Sequence, residues 1–193
     1  MKKIALTSVL AVFAVSAANA ATNYFVGGSA EISTDNNHAS VLYVAPELGW
    51  KLNSDWDLGV MAGFGVSHVA PKNDMYAYGA GAFARYKVAQ FGGVKLLLKG
   101  GASVDFATIS SDNDNIDGET LTSIGASITP MITYDISEAF TLYANLNFLG
   151  VYATYNFDND KLNVAKSWSL GAGVDSENVA NTSNFQIGFT YNF

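Results

Sequence analysis

Cysteine is absent from the 193 residues, which excludes disulfide frameworks, zinc–thiolate sites and cysteine nucleophiles. Proline is scarce, with 3 in all, and so is basic charge: 10 Lys and Arg against 17 Asp and Glu leave a net charge of −7. An acidic chain repels phosphate, so nucleic acid is not an expected partner. Long hydrophobic runs are missing too. After residue 20 no stretch approaches the roughly 20 apolar residues that a membrane helix requires. What fills the chain instead is glycine and aromatic residues, 18 Gly, 10 Tyr, 12 Phe and 3 Trp, which is not a disordered composition. The length suits one domain of ordinary size.

Residues 1–20 have the form of a secretory signal peptide. Lys2 and Lys3 give a positive start, Ile4 to Ala18 is mostly apolar, and Ala18-Asn19-Ala20 is an A-x-A cleavage site. The expected mature chain is 21–193. Losing two lysines and no acid takes its net charge to −9.

The rest of the chain alternates with period two between short polar clusters, the signature of strands. Strands are expected near 23–33, 40–52, 55–67, 76–88, 93–107, 120–134, 139–154 and 184–193. One parity of each is apolar or small, for example Trp56, Leu58, Val60, Ala62, Phe64 and Val66. The charged strand residues Glu31, Glu47, Lys51, Asp57, Arg85, Lys87, Lys95, Lys99 and Asp105 all fall on the other parity. By chance that segregation would arise about once in 250, so the two faces meet different solvents.

Glycine decides which face is inside. Gly27, Gly49, Gly59, Gly63, Gly65, Gly79, Gly81, Gly101, Gly125 and Gly188 share the charged parity. Glycine weakens a strand unless the space is needed. An eight-stranded barrel needs it, because its interior is only just wide enough for side chains. The expected occupants are Tyr43, Phe83, Arg85 and the lysines. Aromatic placement agrees. Tyr24, Trp50, Trp56, Tyr86, Tyr134, Phe140 and Phe193 fall at one end of their strands if the short connections 53–55, 89–92 and 135–138 lie together. Amphipathic rings gather in this way at headgroup level. On this reading Leu142 faces lipid and its neighbour Tyr143 the lumen.

The C-terminal segment Gln186-Ile187-Gly188-Phe189-Thr190-Tyr191-Asn192-Phe193 resembles the C-terminal assembly signal of bacterial outer-membrane proteins, with Gln186, Gly188, Tyr191 and Phe193 at its fixed positions. Together with PELGWKLNSDWDLG (46–59), it gives the chain a resemblance to the small OmpA/OmpX-like barrel family. The resemblance covers most of the mature chain as pattern and only short pieces as motif. It implies an all-β, transmembrane, antiparallel up-and-down barrel in the outer membrane of a Gram-negative-type cell. It also implies passage through the secretion and barrel-assembly machinery. The length leaves no room for the periplasmic peptidoglycan-binding domain of longer OmpA-type proteins.

One segment resists the pattern. Residues 164–174 also alternate, and counting them makes nine strands, whereas bacterial barrels have an even number. They are expected to form an extension above the membrane within a long loop 155–183. Ten strands, with a weak one near 175–183, is the alternative. Pro46 and Pro130 each remove a ladder hydrogen bond, and bulges are expected there.

Candidate chemistry is thin. The lumen charges Glu47, Lys51, Asp57, Arg85 and Lys99 are read as a salt-bridge network, since buried charges must be paired; an ion path is the sharper reading. His38 and His68 fall near the loop end, His68 beside Ser67. A hydrolase would bring a histidine into contact with Ser or Asp there. Asp112, Asp114, Asp117 and Glu119 make an oxygen-rich loop, but Ile116 breaks the EF-hand pattern and a solvated loop is the plainer reading. No catalytic, cofactor-binding or metal-binding residue is assigned. The expectation is a structural or surface-interaction barrel that is not an enzyme, with loops 34–39, 68–75, 109–119 and 155–183 facing outward and open to an extracellular ligand. A small porin and a lipid A-modifying enzyme are the alternatives.

Overall fold

Ten strand segments appear in the computed structural model, which describes residues 23–34, 40–69, 73–113, 116–147, 149–174 and 185–193. They are β1 (Tyr24–Thr34), β2 (Ser40–Lys51), β3 (Trp56–Val69), β4 (Asn73–Phe91), β5 (Val94–Ser111), β6 (Thr120–Asp135), β7 (Phe140–Leu146), β8 (Leu149–Asn156), β9 (Ser167–Val174) and β10 (Phe185–Asn192). The expected signal segment lies outside the described residues. Every pairing is antiparallel. β10 pairs with β1, and β5 with β6, so β1 to β7 and β10 close an eight-membered ring. Closure satisfies backbone groups without an open edge, which is what allows strands to cross hydrocarbon.

The two faces divide as the alternation requires. On the apolar parity, Leu58, Val60, Leu98, Ile128, Ile132, Leu142 and Ile187 are 39–64% exposed. On the charged parity, Phe25, Glu47, Phe83, Arg85, Leu97, Met131, Tyr143 and Asn145 are buried. A soluble protein would do the reverse. The exposed apolar face is therefore the lipid face. At its lower edge lie Tyr24 against Trp50 and Trp56 against Tyr86, with ring centroids 5.9 and 4.8 Å apart. Toward the loop end, Tyr78 stacks on Phe106 at 5.3 Å and Tyr155 meets Phe157 at 5.0 Å. The short connections 52–55, 92–93 and 136–139 share the lower end.

The seventh and eighth walls are each built from two pieces. β7 and β8 both pair with β6, but Met131 faces Asn145 whereas Ile128 faces Val151. Three extra residues are inserted, so the parity inverts. Leu142 and Ala144 point to lipid in β7, while Val151, Ala153 and Tyr155 do so in β8. Gly150 makes the step with φ 150°, where a Cβ would run into the Ile128 carbonyl. The expected uninterrupted strand 139–154 is thus corrected to a broken one.

β9 corrects the reading of 164–174. It pairs with β8, placing Ala172, Leu170 and Trp168 beside Val151, Ala153 and Tyr155. Those residues face Ile128, Ala126 and Ile124 of the barrel wall. β9 therefore continues the outer part of the apolar belt and does not stand above it. The alternation that favoured a strand was sound. β9 and β10 lie in line along one wall, so no ninth stave is added.

The prolines are accommodated differently. Pro130 lies opposite the β7–β8 interruption, so its missing N–H faces a place where the ladder is already broken. At Pro46 there is no bulge. The β2–β3 ladder skips Ala45 and Pro46 and resumes in the same register. The register shift that does occur is at Val88, between Lys87 and Ala89.

Candidate functional site: the lumen and the rim

Five glycines of the lumen parity lie under an aromatic ring. Gly49 is covered by Phe25, Gly59 by Phe83, Gly63 and Gly65 by Tyr43, and Gly188 by Tyr143. A Cβ at any of these would collide with the ring. With those rings seated, the charged groups sort by depth.

At mid-height Arg85 Nη2 donates to both carboxylate oxygens of Glu47, at 2.6 and 2.7 Å. Glu47 is 2% exposed and Arg85 3%. The pair joins β2 to β4 across β3, so it spans the curve of the wall and is not a ladder neighbour. The guanidinium carbon lies 4.5 Å from the Phe83 ring centre, 5.2 Å from Tyr143 and 5.3 Å from Phe25. Below the pair is a small cavity of about 50 Å³ touching Arg85, Lys51, Asp57 and Lys95. Above it is one of about 440 Å³ touching Glu47 and Lys99. The ion pair and its aromatic collar form a septum between them, with Leu97, Met131 and Tyr143 packed as a buried cluster.

The other expected network residues are dispersed. Lys51 and Asp57 are register partners across β2 and β3 without an ion pair within 4.0 Å. Lys95 binds Asp135 at 2.6 Å, and Lys87 binds Asp55 at 3.1 Å, both at the lower end. Lys99 is the register partner of Arg85. Its ammonium sits 5.0 Å from the Phe83 ring centre and forms no ion pair among the described residues. Asp105 accepts from the Ser103 hydroxyl at 2.6 Å nearer the loops.

Sequence reasoning missed two lumen groups, Asn145 and Met131, whereas it placed Tyr143 in the lumen, where the structure has it. Asn145 is 2% exposed and donates to Gln186 Oε1 at 2.9 Å, while its own Oδ1 has no partner among the described residues. Tyr143 is 3% exposed against Arg85. Met131 is fully buried. A polar residue at belt height on the lumen parity was the available signal for Asn145. Of the assembly-signal residues, Gln186 faces the lumen as that acceptor and Gly188 lies under Tyr143. Tyr191 faces lipid, edge-on to Phe193 at 5.0 Å.

At the rim, His68 Nδ1 lies 2.5 Å from Asp74 Oδ1, with side chains 53% and 39% exposed. Both residues are on the lipid-facing parity, one step of the ladder above Val66 and Tyr76. Ser40 of β2 is the register partner of His68; Ser67 lies on the opposite parity. His38 lies outside the described residues. In the acidic loop, Glu119 accepts from Lys161 at 2.6 Å and from Asn159 at 3.3 Å. Lys161 and Asn159 hold the Glu119 carboxyl below the usual carboxylate range. Asp117 accepts from the Ser111 backbone, which closes the loop on itself. No group of three metal-ligating side chains occurs among the described residues. Asp114 lies outside them.

A closed eight-stranded barrel with an apolar outer belt, aromatic edges and a polar, septate lumen defines the class: a small outer-membrane β-barrel. Its fold is similar to that of Neisserial surface protein A (NspA), at 20% identity over 88% of this chain and 95% of that one, with a TM-score of 0.56. A major outer membrane protein from Thermus thermophilus aligns at 16% identity over 89% and 98%, with a TM-score of 0.46. The N-terminal β-barrel domain of Pseudomonas aeruginosa OprF aligns at 14% over 89% and 98%, also at 0.46. No protein-family model matches the chain, and no curated protein matches it.

Proposed function

We propose that this protein is a structural or surface-interaction barrel of the outer membrane, not a pore and not an enzyme. The observation that carries the reading is the septum. Arg85 and Glu47, ringed by Phe25, Phe83 and Tyr143, fill the lumen at mid-height. An ion crossing there would have to break a buried charge pair. The chain is exported by the signal segment 1–20. The assembly machinery then reads Gln186, Gly188, Tyr191 and Phe193, and the barrel presents its loops to an extracellular ligand. Purified protein in planar bilayers is expected to give no steady single-channel steps. Reproducible steps would support the porin reading instead.

A second reading is favoured by one observation, the His68–Asp74 contact. An aspartate on Nδ1 fixes the imidazole with Nε2 available as a base, and the pair lies just above the lipid belt. A hydrolase there would need Ser40 or a water as its nucleophile. An assay on a lipid ester decides it: turnover that is lost in His68→Ala would replace the structural reading.

A further inference from the structure

We infer that the cavity above the septum binds a small polyhydroxylated anion, a sugar-sized carboxylate or phosphate, entering from the loop side. The inference goes beyond the structural role and holds whether or not the loops bind a partner.

Three observations converge on it. First, the cavity of about 440 Å³ is large enough for such a molecule. It is lined by hydroxyls and amides, among them Ser127, Thr129, Asn145 and Gln186. Pockets that orient a ligand do so with a few convergent polar groups. Second, it holds a cation with no ion-pair partner among the described residues. Of the two carboxylates in its lining, Glu47 has both oxygens on Arg85, and Asp105, six residues along β5 from Lys99, accepts from Ser103. Lys99 lines the same cavity and rests against Phe83 with no ion pair among the described residues. A lysine withdrawn from bulk water is stabilised by an anion more than by a ring face alone. Third, Asn145 lies in the cavity wall with an Oδ1 that is buried and has no hydrogen-bond partner among the described residues, so a turn of its amide toward the cavity would bring it to a ligand. An orphan acceptor asks for a donor such as a ligand hydroxyl. One ligand meets both needs if it carries an anionic group for Lys99 and hydroxyls for Asn145. A cavity of about 290 Å³ shares Asp105 and Ser123 with the first and reaches Phe157 and Val164, which gives a route toward the loops.

The test titrates the refolded mature chain in micelles with glucuronate, glucose 6-phosphate and glucose, by calorimetry and by the NMR shift of the Lys99 Cε. Saturable binding of at least one anion is expected, together with movement of the Lys99 signal and no saturation by glucose. The two anions separate carboxylate from phosphate. Lys99→Met is expected to weaken binding at least tenfold, Lys99→Arg to retain it, and the loop control Lys161→Met to leave it unchanged. Equal binding of glucose, an unchanged affinity in Lys99→Met, or no saturation by either anion would overturn the inference. Should Lys99→Met fail to fold, the wild-type Lys99 signal decides alone: movement with anion supports the site, and a static signal removes it.

Discussion

Glu47→Gln isolates the septum. It keeps the shape of the side chain but removes the charge that faces Arg85, leaving a guanidinium that is 3% exposed with no carboxylate in ion-pair contact among the described residues. Removing one partner of a buried ion pair costs about 3–5 kcal/mol, because the remaining charge stays desolvated. Two features lower the loss toward the bottom of that range. The glutamine oxygen can still accept from Nη2, and the three rings around the guanidinium keep their cation–π attraction, each about 0.5–2 kcal/mol. Arg85 Nε already lacks a partner, so it cannot compensate. A loss of about 3 kcal/mol is expected. The double change Glu47→Gln with Arg85→Met removes the charge altogether and should recover at least half of it. The assay is a guanidinium titration of refolded protein in lipid vesicles, with wild type and both variants in one lipid. A single-variant loss below about 1 kcal/mol, the value of an exposed pair, would refute the reasoning. So would a double variant no more stable than the single.

Gly188→Val drives a branched side chain into Tyr143 and should prevent complete folding, read as loss of the heat-modifiable band on a gel; normal folding would mean that Tyr143 lies elsewhere. Glu119 gives a pH effect at the surface. Its carboxyl is depressed in the folded state, so the stabilisation of the 112–119 loop is present above the unfolded value near pH 4 and is lost as pH falls through the folded value. Amide exchange across Ile116–Glu119 should therefore accelerate on acidification, and Glu119→Gln should abolish that dependence. Tyr143→Arg should now be at least as damaging as Leu142→Arg in vesicles. Tyr143 is 3% exposed against Arg85, so the new cation would be buried beside a guanidinium, with Asp57 across the small lower cavity as the one carboxylate there without an ion pair among the described residues to offset it. A harmless Tyr143→Arg would show that the septum is loose.

The barrel was legible in the sequence because one physical rule, a side-chain period of two between unlike solvents, governs most of the chain. Val60 and Met61, or Leu98 and Lys99, are assigned to faces by parity alone. The interruptions were not legible. The inversion between Leu146 and Val151 depends on one backbone step at Gly150, and nothing in the composition of LNFLGV marks it as different from the glycines that only make room. The shift at Val88 is equally silent. The septum was half legible. Parity and depth brought Glu47, Asp57, Arg85 and Lys99 into one lumen, but pairing across two strands depends on barrel curvature. Curvature therefore decided that Glu47 takes Arg85 while Lys51 and Asp57 remain apart. The rim pair His68–Asp74 needed the β3–β4 register, which a turn of unspecified length conceals.

The central claim is that the apolar parity meets lipid and the charged parity meets an aqueous, partly filled lumen. Ile128 and Ser127 test it on adjacent residues. Ile128 is 54% exposed on the outer face, six residues along β6 from Tyr134 at the lower edge. At about 3.3 Å per residue and a tilt near 40°, that places it roughly 15 Å into the belt, near its middle. Ser127 points into the 440 Å³ cavity. In vesicles Ile128→Arg should lose about 2–4 kcal/mol of folding free energy, and Ser127→Arg less than half of that. A Ser127→Arg variant less stable than Ile128→Arg, measured in the same guanidinium titration, would place the lipid on the other face.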